Sequence, residues 1–414
     1  MLRHKDVTKL GKAVRHISRL RGGSGSALPG LVVEKLDPNF AARTLESLPH
    51  GVVIITGTNG KTTTTKIVRQ LLESSGMKVF TNRTGSNFTR GIIAALLAEV
   101  DSTGSLDADI AVLELDEAYA AQFVKRVRPR YSLLLNVMRD QLDRFGENDH
   151  TANLLKAVAR ATTDIVVCNR DDELVRAIGE EIQASHQVEY YGVDSNLQDL
   201  FPSDQQLYST KKSNRVTTSA RVELAKVDGN TAWFAIDADK PARVDLKIKG
   251  VYNLQNAAAA LCLVRTIVDI PNSTLVQSLS EVMPAFGRGE AVNIDGQPLE
   301  LLLALKSYDH TGIETMIAIN DNYADGRDMS WLWDVDFRML PRVAYVSGIR
   351  AYDMALRLQY DEVEVSAVEP SIARALREFT HGPAKPRRIY CTYTAMMSIR
   401  KILQRQHNLE SIDQ

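Results

Sequence analysis

Short apolar runs alternate with amphipathic stretches from about residue 45 onward. The apolar runs are rich in Val, Ile and Leu, which is typical of strands buried on both faces, and the stretches between them have helical spacing. The predicted strands are 52–55, 78–81, 110–115, 131–137 and 165–168, and the predicted helices are 61–75, 91–99, 118–127 and 151–159. This alternation predicts an α/β fold with a parallel, doubly wound sheet whose ligands lie at the carboxyl ends of the strands.

The pattern changes further along the chain. Residues 188–250 hold short alternating runs among Gln, Ser, Asn and Lys, which predicts a β-rich antiparallel insert with strands near 222–224 and 232–236 and a helix at 254–268. A second α/β unit is predicted from its strands at 301–304, 316–319, 343–346 and 388–391. We therefore predict a basic helix and an extended segment over residues 1–45, a central domain over 46–296 and a smaller C-terminal α/β domain over 297–414.

The first 22 residues are basic, with seven Lys/Arg and one acidic residue, Asp6. Apolar residues at 7, 10, 14 and 17 form a helical stripe. Such a helix could lie on an anionic membrane surface, or it could pack on the body of the protein with a solvated polar face. Pro29 and Pro38 predict that the chain after the Gly/Ser-rich residues 22–26 is extended.

Composition excludes several classes of protein. The formal net charge of -1 does not suit nucleic-acid binding driven by bulk electrostatics. No apolar stretch approaches the length of a membrane span, and the N-terminus lacks an apolar signal core, so we expect a cytoplasmic protein without a transmembrane segment. Cys168, Cys262 and Cys391 lie far apart among apolar neighbours, which predicts buried thiols in place of a disulfide or zinc framework.

The clearest candidate chemistry follows the first predicted strand. Gly57, Gly60, Lys61 and Thr62 have the spacing Gly-x-x-Gly-Lys-Thr between a strand and a helix. Backbone amides of such a turn and the helix N-terminus bind phosphate oxygens, Lys61 can reach the β- and γ-phosphates, and Thr62 can hold Mg²⁺. Ile55 stands where the usual phosphate-loop pattern has its first Gly, so the prediction depends on the strand–turn–helix context. The alternative is a Gly-rich turn without a ligand.

Polar residues also follow two other predicted strands. Glu114 closes one strand and is followed by Asp116 and Glu117; Asn136 closes another and is followed by Asp140, Gln141 and Asp143. Oxygen ligands at strand ends beside a phosphate loop suit Mg²⁺, which favours a few carboxylates together with phosphate oxygens and water. For Asp116 and Asp143 the alternative is a plain helix N-cap.

These motifs carry a family resemblance. The loop over residues 56–64 resembles the ATP site of the Mur ligase superfamily, which includes folylpolyglutamate synthase. Within that superfamily the MurT-like ligases are similar to this chain over several long and unusual motifs, at residues 81–91, 140–147, 285–290, 324–334 and 347–355. The resemblance runs from about residue 30 to 405 and implies a Mur-ligase-like central domain that binds ATP.

The resemblance also implies roles for individual residues. The residues that it implies for the triphosphate are Gly57, Thr58, Asn59, Gly60, Lys61, Thr62 and Thr63. It implies magnesium ligands at Thr62 and Glu114, with Gln141 where many Mur ligases have a metal-binding His. Arg288 resembles an Arg that approaches ATP, and Asn253 and Asn256 resemble the adenine-side segment, with Asn256 the stronger candidate; the alternative for Asn256 is a helix-start residue.

The activity implied by the resemblance is ATP-dependent amidation. Lys61 would assist phosphorylation of the D-glutamate α-carboxylate in the lipid II stem peptide, and ammonia would convert the acyl phosphate into D-isoglutamine. About 45 residues precede the phosphate-loop strand, in place of the roughly 100-residue uridine-nucleotide domain of familiar Mur ligases. A substrate such as lipid II, at the inner membrane surface, fits that difference.

The ammonia would come from a GatD-like glutamine amidotransferase subunit. In the resembling family an Asp of the ligase subunit orients the His of the partner's Cys–His pair. Asp334 is the first candidate for that role, followed by Asp328 and Asp336, and the run 325–336 with Trp331 and Trp333 is a candidate docking edge. The alternative is that the Trp residues belong to the core and the Asp residues are caps.

Two rival functions remain open from the sequence. One is a folylpolyglutamate-synthase-like ligase that acts without a partner, and the other is a nucleotide-binding scaffold that has lost turnover. Residues 304–311 depart from the pattern typical of the resembling family, so the roles of Lys306 and His310 stay undetermined.

We predict that the purified protein contains no stoichiometric zinc. Many MurT-like ligases carry a four-Cys zinc ribbon in the central domain, whereas residues 188–250 contain no Cys. Elemental analysis of protein prepared without chelator is the measurement. One zinc ion per chain would show that the insert has been misinterpreted.

Overall fold

The computed structural model describes residues 3–20, 27–82, 89–138, 147–201, 218–229, 231–248, 250–283, 290–294, 296–302, 312–322, 325, 332–333, 335–382 and 385–406. The chain divides into two compact units, Met1–Met283 and Pro284–Gln414. The boundaries predicted from the sequence at 45/46 and 296/297 stay a prediction.

The helices of the N-terminal unit are α1 (His4–Leu20), α2 (Ala27–Leu36), α3 (Phe40–Leu45), α4 (Lys61–Ser74), α5 (Thr89–Glu99), α6 (Glu117–Phe123), α7 (Glu147–Ala161), α8 (Glu173–Ile182), α9 (Val251–Ile267) and α10 (Asn272–Glu281), with a short 3₁₀ helix at Ser195–Leu200. Its strands are β1 (Val52–Thr56), β2 (Val79–Thr81), β3 (Ile110–Glu114), β4 (Tyr131–Leu134), β5 (Ile165–Asn169), β6 (Gln187–Val193), β7 (Val222–Asp228), β8 (Thr231–Ile236) and β9 (Ala242–Asp245).

Within the described residues these strands form one sheet in the order β2-β3-β1-β4-β5-β6-β7-β8-β9. Pairing is parallel from β2 to β7, and β8 and β9 extend the sheet as antiparallel strands. Strands β1, β3 and β4 are neighbours, with Ile55 opposite both Glu114 and Leu133. The ends of these three strands therefore lie at one edge of the sheet.

Alternation along β1 divides the core between the two faces of this sheet. Val53 and Ile55 belong to the cluster that contains Ile67 and Leu71 of α4. Val52 and Ile54 belong to the other cluster, which contains apolar side chains of α3 and α5. Because successive side chains of a strand point to opposite faces, one apolar strand needs helices on both sides. The predicted α/β class with a doubly wound parallel sheet is confirmed.

The C-terminal unit is a smaller α/β structure. Its strands are β10 (Glu290–Ile294), β11 (Gln297–Leu302), β12 (Glu314–Ala318), β13 (Val343–Ser347), β14 (Val365–Val368) and β15 (Arg387–Cys391), and its helices are α11 (Ala351–Tyr360), α12 (Ile372–His381) and α13 (Tyr393–Gln406). In the described part of the unit the strand order is β10-β11-β15-β12-β13-β14, and only the β10–β11 pair is antiparallel.

The predicted extended segment after the first helix is wrong. Residues 27–36 and 40–45 form α2 and α3. Pro29 is the third residue of α2, in the first turn of a helix, where a backbone N–H has no intrahelical acceptor and the fixed φ of proline suits the helix. Pro38 lies between the two helices. The prolines therefore mark a helix start and a connection, not an extended chain.

Smaller differences concern the ends and the number of elements. The strand predicted at 131–137 ends at Leu134, and the helix predicted at 118–127 ends at Phe123. Strands β6, β9, β10 and β14 and helices α8 and α10 to α13 were not predicted, and residues 303 and 304 of a predicted strand lie outside the described residues. The predicted basic helix is present, and it packs through Val7, which is fully buried.

No helix in the described part of the chain is long and apolar enough to cross a membrane.

Asp172 connects the end of the parallel sheet to α8. One of its carboxylate oxygens accepts hydrogen bonds from the backbone N–H groups of Leu174 and Val175, at 3.1 and 2.9 Å, and caps the helix. The other oxygen accepts from the N–H of Val137 at 2.8 Å, just after β4. Burial raises the pKa of Asp172 to about 6, so the carboxylate is ionised at neutral pH and can accept all three bonds.

We predict that Asp172→Asn lowers the free energy of unfolding by about 1–3 kcal/mol at pH 7. The Asn side chain has one acceptor oxygen, so its NH₂ group must face either Val137 N–H or the α8 cap. Urea denaturation followed by circular dichroism is the measurement. Asp194→Asn is the matched control, because Asp194 caps with a single oxygen that accepts from Asn196. Equal midpoints for wild type and Asp172→Asn would contradict the prediction.

Candidate active site

The loop between β1 and α4 turns at two glycines with positive φ. Gly57 has φ of 135° and Gly60, the N-cap of α4, has φ of 90°. A Cβ atom on Gly60 would lie 2.4 Å from Oδ1 of Asn256, and one on Gly57 would lie 2.9 Å from the backbone N of Asn136. Glycine is required at both positions because of the backbone conformation and because neighbouring atoms approach so closely.

Asn136, just after β4, holds this loop. Its backbone oxygen accepts from Thr58 N–H at 3.0 Å and its Oδ1 accepts from Asn59 N–H at 2.8 Å. Its Nδ2 group donates to the carbonyl oxygen of Asn59 at 3.0 Å. The sequence placed Asn136 among candidate magnesium ligands, but here both ends of its amide are bonded to the loop backbone. Asn136 therefore positions the loop.

The two predicted magnesium ligands are in contact. Thr62 Oγ1, in the first turn of α4, donates to Oε1 of Glu114 at 2.7 Å. Glu114 is the last residue of β3 and is 6% exposed. Parallel pairing of β1 with β3 brings these residues together, because α4 starts directly after the loop that follows β1. Two oxygen donors at one point of the sheet edge suit a hard divalent cation.

Asn82 is a functional residue that the sequence reasoning did not single out. Its Nδ2 donates to the backbone oxygen of Glu114 at 2.7 Å, and its Oδ1 accepts from the backbone N–H of Glu114 at 2.8 Å. Asn82 follows β2 and is 4% exposed. It fixes the main chain from which the Glu114 carboxylate projects. A polar residue directly after a strand that neighbours β3 was the available signal.

Lys61 lies over the loop. Its Nζ donates to the carbonyl oxygens of Gly57 and Thr58, at 2.6 and 3.1 Å, and lies 3.8 Å from Oε2 of Glu117. The side chains of Lys61 and Glu117 are 15% and 13% exposed. The neighbouring Asp116 caps α6 by accepting from Ala118 N–H at 3.2 Å. The cap alternative for Asp116 is therefore correct.

Asn256 lies in the second turn of α9 and contacts the loop at Gly60. Its Nδ2 donates to Oδ1 of Asn253 at 3.2 Å. The helix starts after Gly250, so the helix-start alternative for Asn256 is wrong. Thr63, in the first turn of α4, is 2% exposed. The loop, Lys61, Thr62, Glu114 and Asn256 thus surround one end of β1.

Most of the remaining predicted site residues lie outside the part of the chain that the structure describes. Those that lie outside the described residues are Asp140, Gln141, Asp143, Arg288, Lys306, His310, Asp328 and Asp334. Asp336 is described: it bonds to Arg338, which lowers the pKa of its carboxyl to about 2. Leu332 and Trp333, in the run predicted as a docking edge, form part of a 3₁₀ turn.

The cysteines do not provide a nucleophile. Cys168, Cys262 and Cys391 are free and buried, as the sequence predicted. Burial raises the pKa of each thiol far above its ordinary value, so none forms a thiolate near neutral pH.

The strand–loop–helix arrangement with adjacent oxygen donors defines a phosphate-loop nucleotide-binding protein. Residues 55–264 match the family model of the Mur ligase middle domain, and residues 298–396 match that of the MurT ligase C-terminal domain. The chain belongs to the Mur ligase family, and the resemblance to MurT found in the sequence is confirmed. It is an ATP-dependent ligase.

Related proteins cover nearly the whole chain. Lipid II isoglutaminyl synthase (glutamine-hydrolyzing) subunit MurT of Streptococcus pneumoniae is 28% identical over 94% of both chains. The Staphylococcus aureus protein of the same name is 28% identical over 89% of this chain and 90% of its own.

Solved structures show the same fold. MurF ligase of Thermotoga maritima, in complex with ADP, aligns with a TM-score of 0.63 at 17% identity over 90% of this chain and 85% of its own. MurF of Acinetobacter baumannii aligns with a TM-score of 0.67 at 18% identity over 90% of this chain and 81% of its own.

We predict that Lys61→Ala abolishes ATP-dependent turnover and leaves the fold intact. The variant loses a cation beside the phosphate loop, and charge stabilisation at a transferring phosphoryl group contributes several kcal/mol. ADP release under saturating substrate is the measurement. Lys78→Ala is the control, because Lys78 is also in the N-terminal unit and its side chain is 63% exposed. Retained turnover in Lys61→Ala would refute the assignment of the loop.

Proposed function

We propose that this chain is the ligase subunit of a glutamine-dependent amidating enzyme, which converts the D-glutamate α-carboxylate of the lipid II stem peptide into D-isoglutamine. The observation that carries the proposal is the combination of the phosphate-loop site with a C-terminal match to the MurT ligase family. Relatives that share nearly the full length of the chain are named for this synthase.

The residues around the loop fit a nucleotide with magnesium. Backbone amides at the start of α4 would hold phosphate oxygens, because the first N–H groups of a helix have no intrahelical acceptor. Thr62 and Glu114 would hold Mg²⁺, because their side-chain oxygens lie 2.7 Å apart and Glu114 supplies the carboxylate that such a cation favours. Bound Mg²⁺ supplies positive charge to the phosphate oxygens. Asn256 and Arg288 are the proposed nucleotide contacts from α9 and from the segment before β10.

ATP makes the substrate carboxylate reactive. A carboxylate oxygen attacks the γ-phosphorus, the bond to the β-phosphate oxygen breaks, and ADP leaves. Lys61 stabilises the charge on the transferring group in this proposal, and its Nζ already lies at the loop, on the carbonyl oxygens of Gly57 and Thr58. The nitrogen of ammonia then attacks the acyl carbon, phosphate leaves, and the nitrogen loses a proton to give the amide.

A separate subunit supplies the ammonia in this proposal. Ammonia is mostly ammonium at neutral pH and is then not nucleophilic, so a local source is needed. The three buried thiols cannot act as the nucleophile of a glutaminase within this chain. The relatives carry the words "glutamine-hydrolyzing" and "subunit" in their names, which supports a GatD-like glutamine amidotransferase as the partner.

Exposed aromatic residues of the C-terminal unit support a partner surface there. Trp333 is 57% exposed and packs edge-on against Tyr360, with ring centroids 5.2 Å apart. The Arg357 guanidinium lies 5.1 Å from the Trp333 ring centroid and donates to the carbonyl oxygens of Leu332 and Val335. An exposed aromatic side chain that is held in one position by contacts with its neighbours is typical of an interface anchor.

The decisive experiment is co-purification with the glutaminase, followed by an amidation assay with lipid II, ATP and glutamine. Amidated product that requires all three components supports the proposal. Ligation of a free amino acid without a partner would favour a folylpolyglutamate-synthase-like enzyme instead. ATP binding without product under any condition would favour a silent scaffold.

We predict that Asp334→Asn preserves ATP binding and complex formation but strongly lowers glutamine-dependent amidation. An amide favours the wrong His tautomer and cannot stabilise an imidazolium, a loss that reaches ~10⁴-fold in a well-studied triad. Free ammonium at high concentration should restore part of the activity, because Lys61 and Glu114 are unchanged. Glutamine hydrolysis and amidation are measured side by side on the purified complex.

Asp336→Asn is the matched control for this variant. Asp336 is exposed and paired with Arg338, so its loss should leave glutamine hydrolysis near the wild-type rate. Normal glutamine hydrolysis by Asp334→Asn would mean that the role belongs to another acid, with Asp328 and Asp336 the next to test. Failure of ammonium to rescue that variant would mean that Asp334 serves the ligase site or the fold.

A further inference from the structure

Helix α1 has apolar residues on two sides. On its inner side Val7 and Thr8 are fully buried, and a Cβ atom on Gly11 would lie 2.6 Å from Val33 of α2 and 2.8 Å from Leu97 of α5. This inner side accounts for the packing of the helix on the N-terminal unit. It does not account for the apolar residues that face away from the protein.

The side of the helix next to Val7 exposes Leu10 and Ile17, which are 43% and 51% exposed, with Ala13 exposed between them. These residues are spaced i, i+3 and i+7, so they form one continuous stripe. A surface helix of a globular protein ordinarily presents polar residues where its side chains are exposed. The stripe is therefore unexplained by the fold of the unit.

Basic residues adjoin the stripe. Lys5, Lys9 and His16 are exposed on the neighbouring side of the helix. The helix carries five Lys/Arg and one acidic residue, Asp6, whose carboxylate accepts a hydrogen bond from Arg3 at 3.0 Å. The whole chain has a formal net charge of -1, so positive charge is concentrated here relative to the remainder.

We propose that the outward face of α1, made of Lys5, Lys9, Leu10, Ala13, His16 and Ile17, binds the anionic surface of a phospholipid membrane. Apolar side chains beside Lys residues fit the boundary between acyl chains and anionic headgroups, where the apolar groups lose water and the cations meet phosphate. An apolar protein surface would satisfy the stripe but would leave the adjoining Lys side chains without partners of opposite charge.

The role of this surface rests on the proposed function. An enzyme whose substrate is anchored in a membrane must bring its active site to that membrane. Weak and reversible attachment suits that task. Two half-exposed apolar side chains and a few cations give modest affinity, which allows the enzyme to leave one substrate and reach another.

The test uses the purified full chain and vesicles. Flotation is compared on vesicles of phosphatidylcholine alone and of phosphatidylcholine mixed with phosphatidylglycerol, at low and high salt. We expect binding to the mixed vesicles that weakens with salt. Leu10→Gln/Ile17→Gln should weaken it by about tenfold or more, since both apolar anchors are lost. Lys5→Gln/Lys9→Gln should reduce binding and its salt dependence.

Leu356→Gln is the matched control, because Leu356 lies on α11 in the other unit and is 52% exposed. It should bind vesicles as wild type does. Circular dichroism confirms that each variant is folded. Equal binding to both kinds of vesicle, no binding by the wild type, or unchanged binding by Leu10→Gln/Ile17→Gln would overturn the proposal. A wild-type dimer on gel filtration that this variant dissociates would assign the stripe to a second copy instead.

Activity separates this proposal from the proposed function. The Leu10→Gln/Ile17→Gln variant should amidate lipid II normally in detergent micelles and poorly in vesicles. If the wild-type complex binds vesicles but amidates lipid II in neither micelles nor vesicles, the proposed function is refuted and the proposed membrane surface is not. Equal amidation in micelles and vesicles by the variant would refute the membrane surface alone.

Discussion

The hydrogen bonds between Asn136 and the backbone of residues 58 and 59 are the constraint on which the candidate site depends. They join the end of β4 to the loop that follows β1, so the backbone that leads into the N-terminus of α4 is fixed. Preorganised donors need no reorganisation when charge develops on a phosphoryl group. Asp172, at the start of α8, accepts a hydrogen bond from the backbone N–H of Val137, the residue after Asn136. Asn136 therefore holds the loop, and Asp172 holds the residue next to Asn136.

Charged groups also come close together at the carboxyl ends of these strands. Lys61 lies 3.8 Å from Glu117, and Thr62 is bonded to Glu114, so a cation, a hydroxyl and two carboxylates lie close together beside the loop. A nucleotide phosphate would attract Lys61 away from the loop carbonyls, and a divalent cation would take the Glu114 oxygen from the Thr62 hydroxyl. Asn82 keeps the Glu114 main chain still during such an exchange, because it bonds both of its backbone groups.

Sequence reasoning succeeded where a local pattern determines the structure. The strand, the glycine turn and the helix of the phosphate loop are contiguous, and the Thr62–Glu114 contact follows from parallel pairing of two predicted strands. It failed where the structure depends on distant contacts. Asn136 was a plausible ligand by position, and only its bonds to residues 58 and 59 show a structural task. Pro29 led to the prediction of an extended chain, although a proline in the first helical turn is tolerated.

The burial of the three cysteines bears on which subunit releases ammonia in the proposed enzyme. Cys168 and Cys391 lie in core strands, and Cys262 lies in α9, where burial suppresses thiolate formation. A glutaminase nucleophile must instead be exposed and activated by a neighbouring base. The buried thiols of this chain are not placed to act as such a nucleophile. In the proposed enzyme the ammonia must therefore cross from a second protein, and the C-terminal unit must offer that protein a surface.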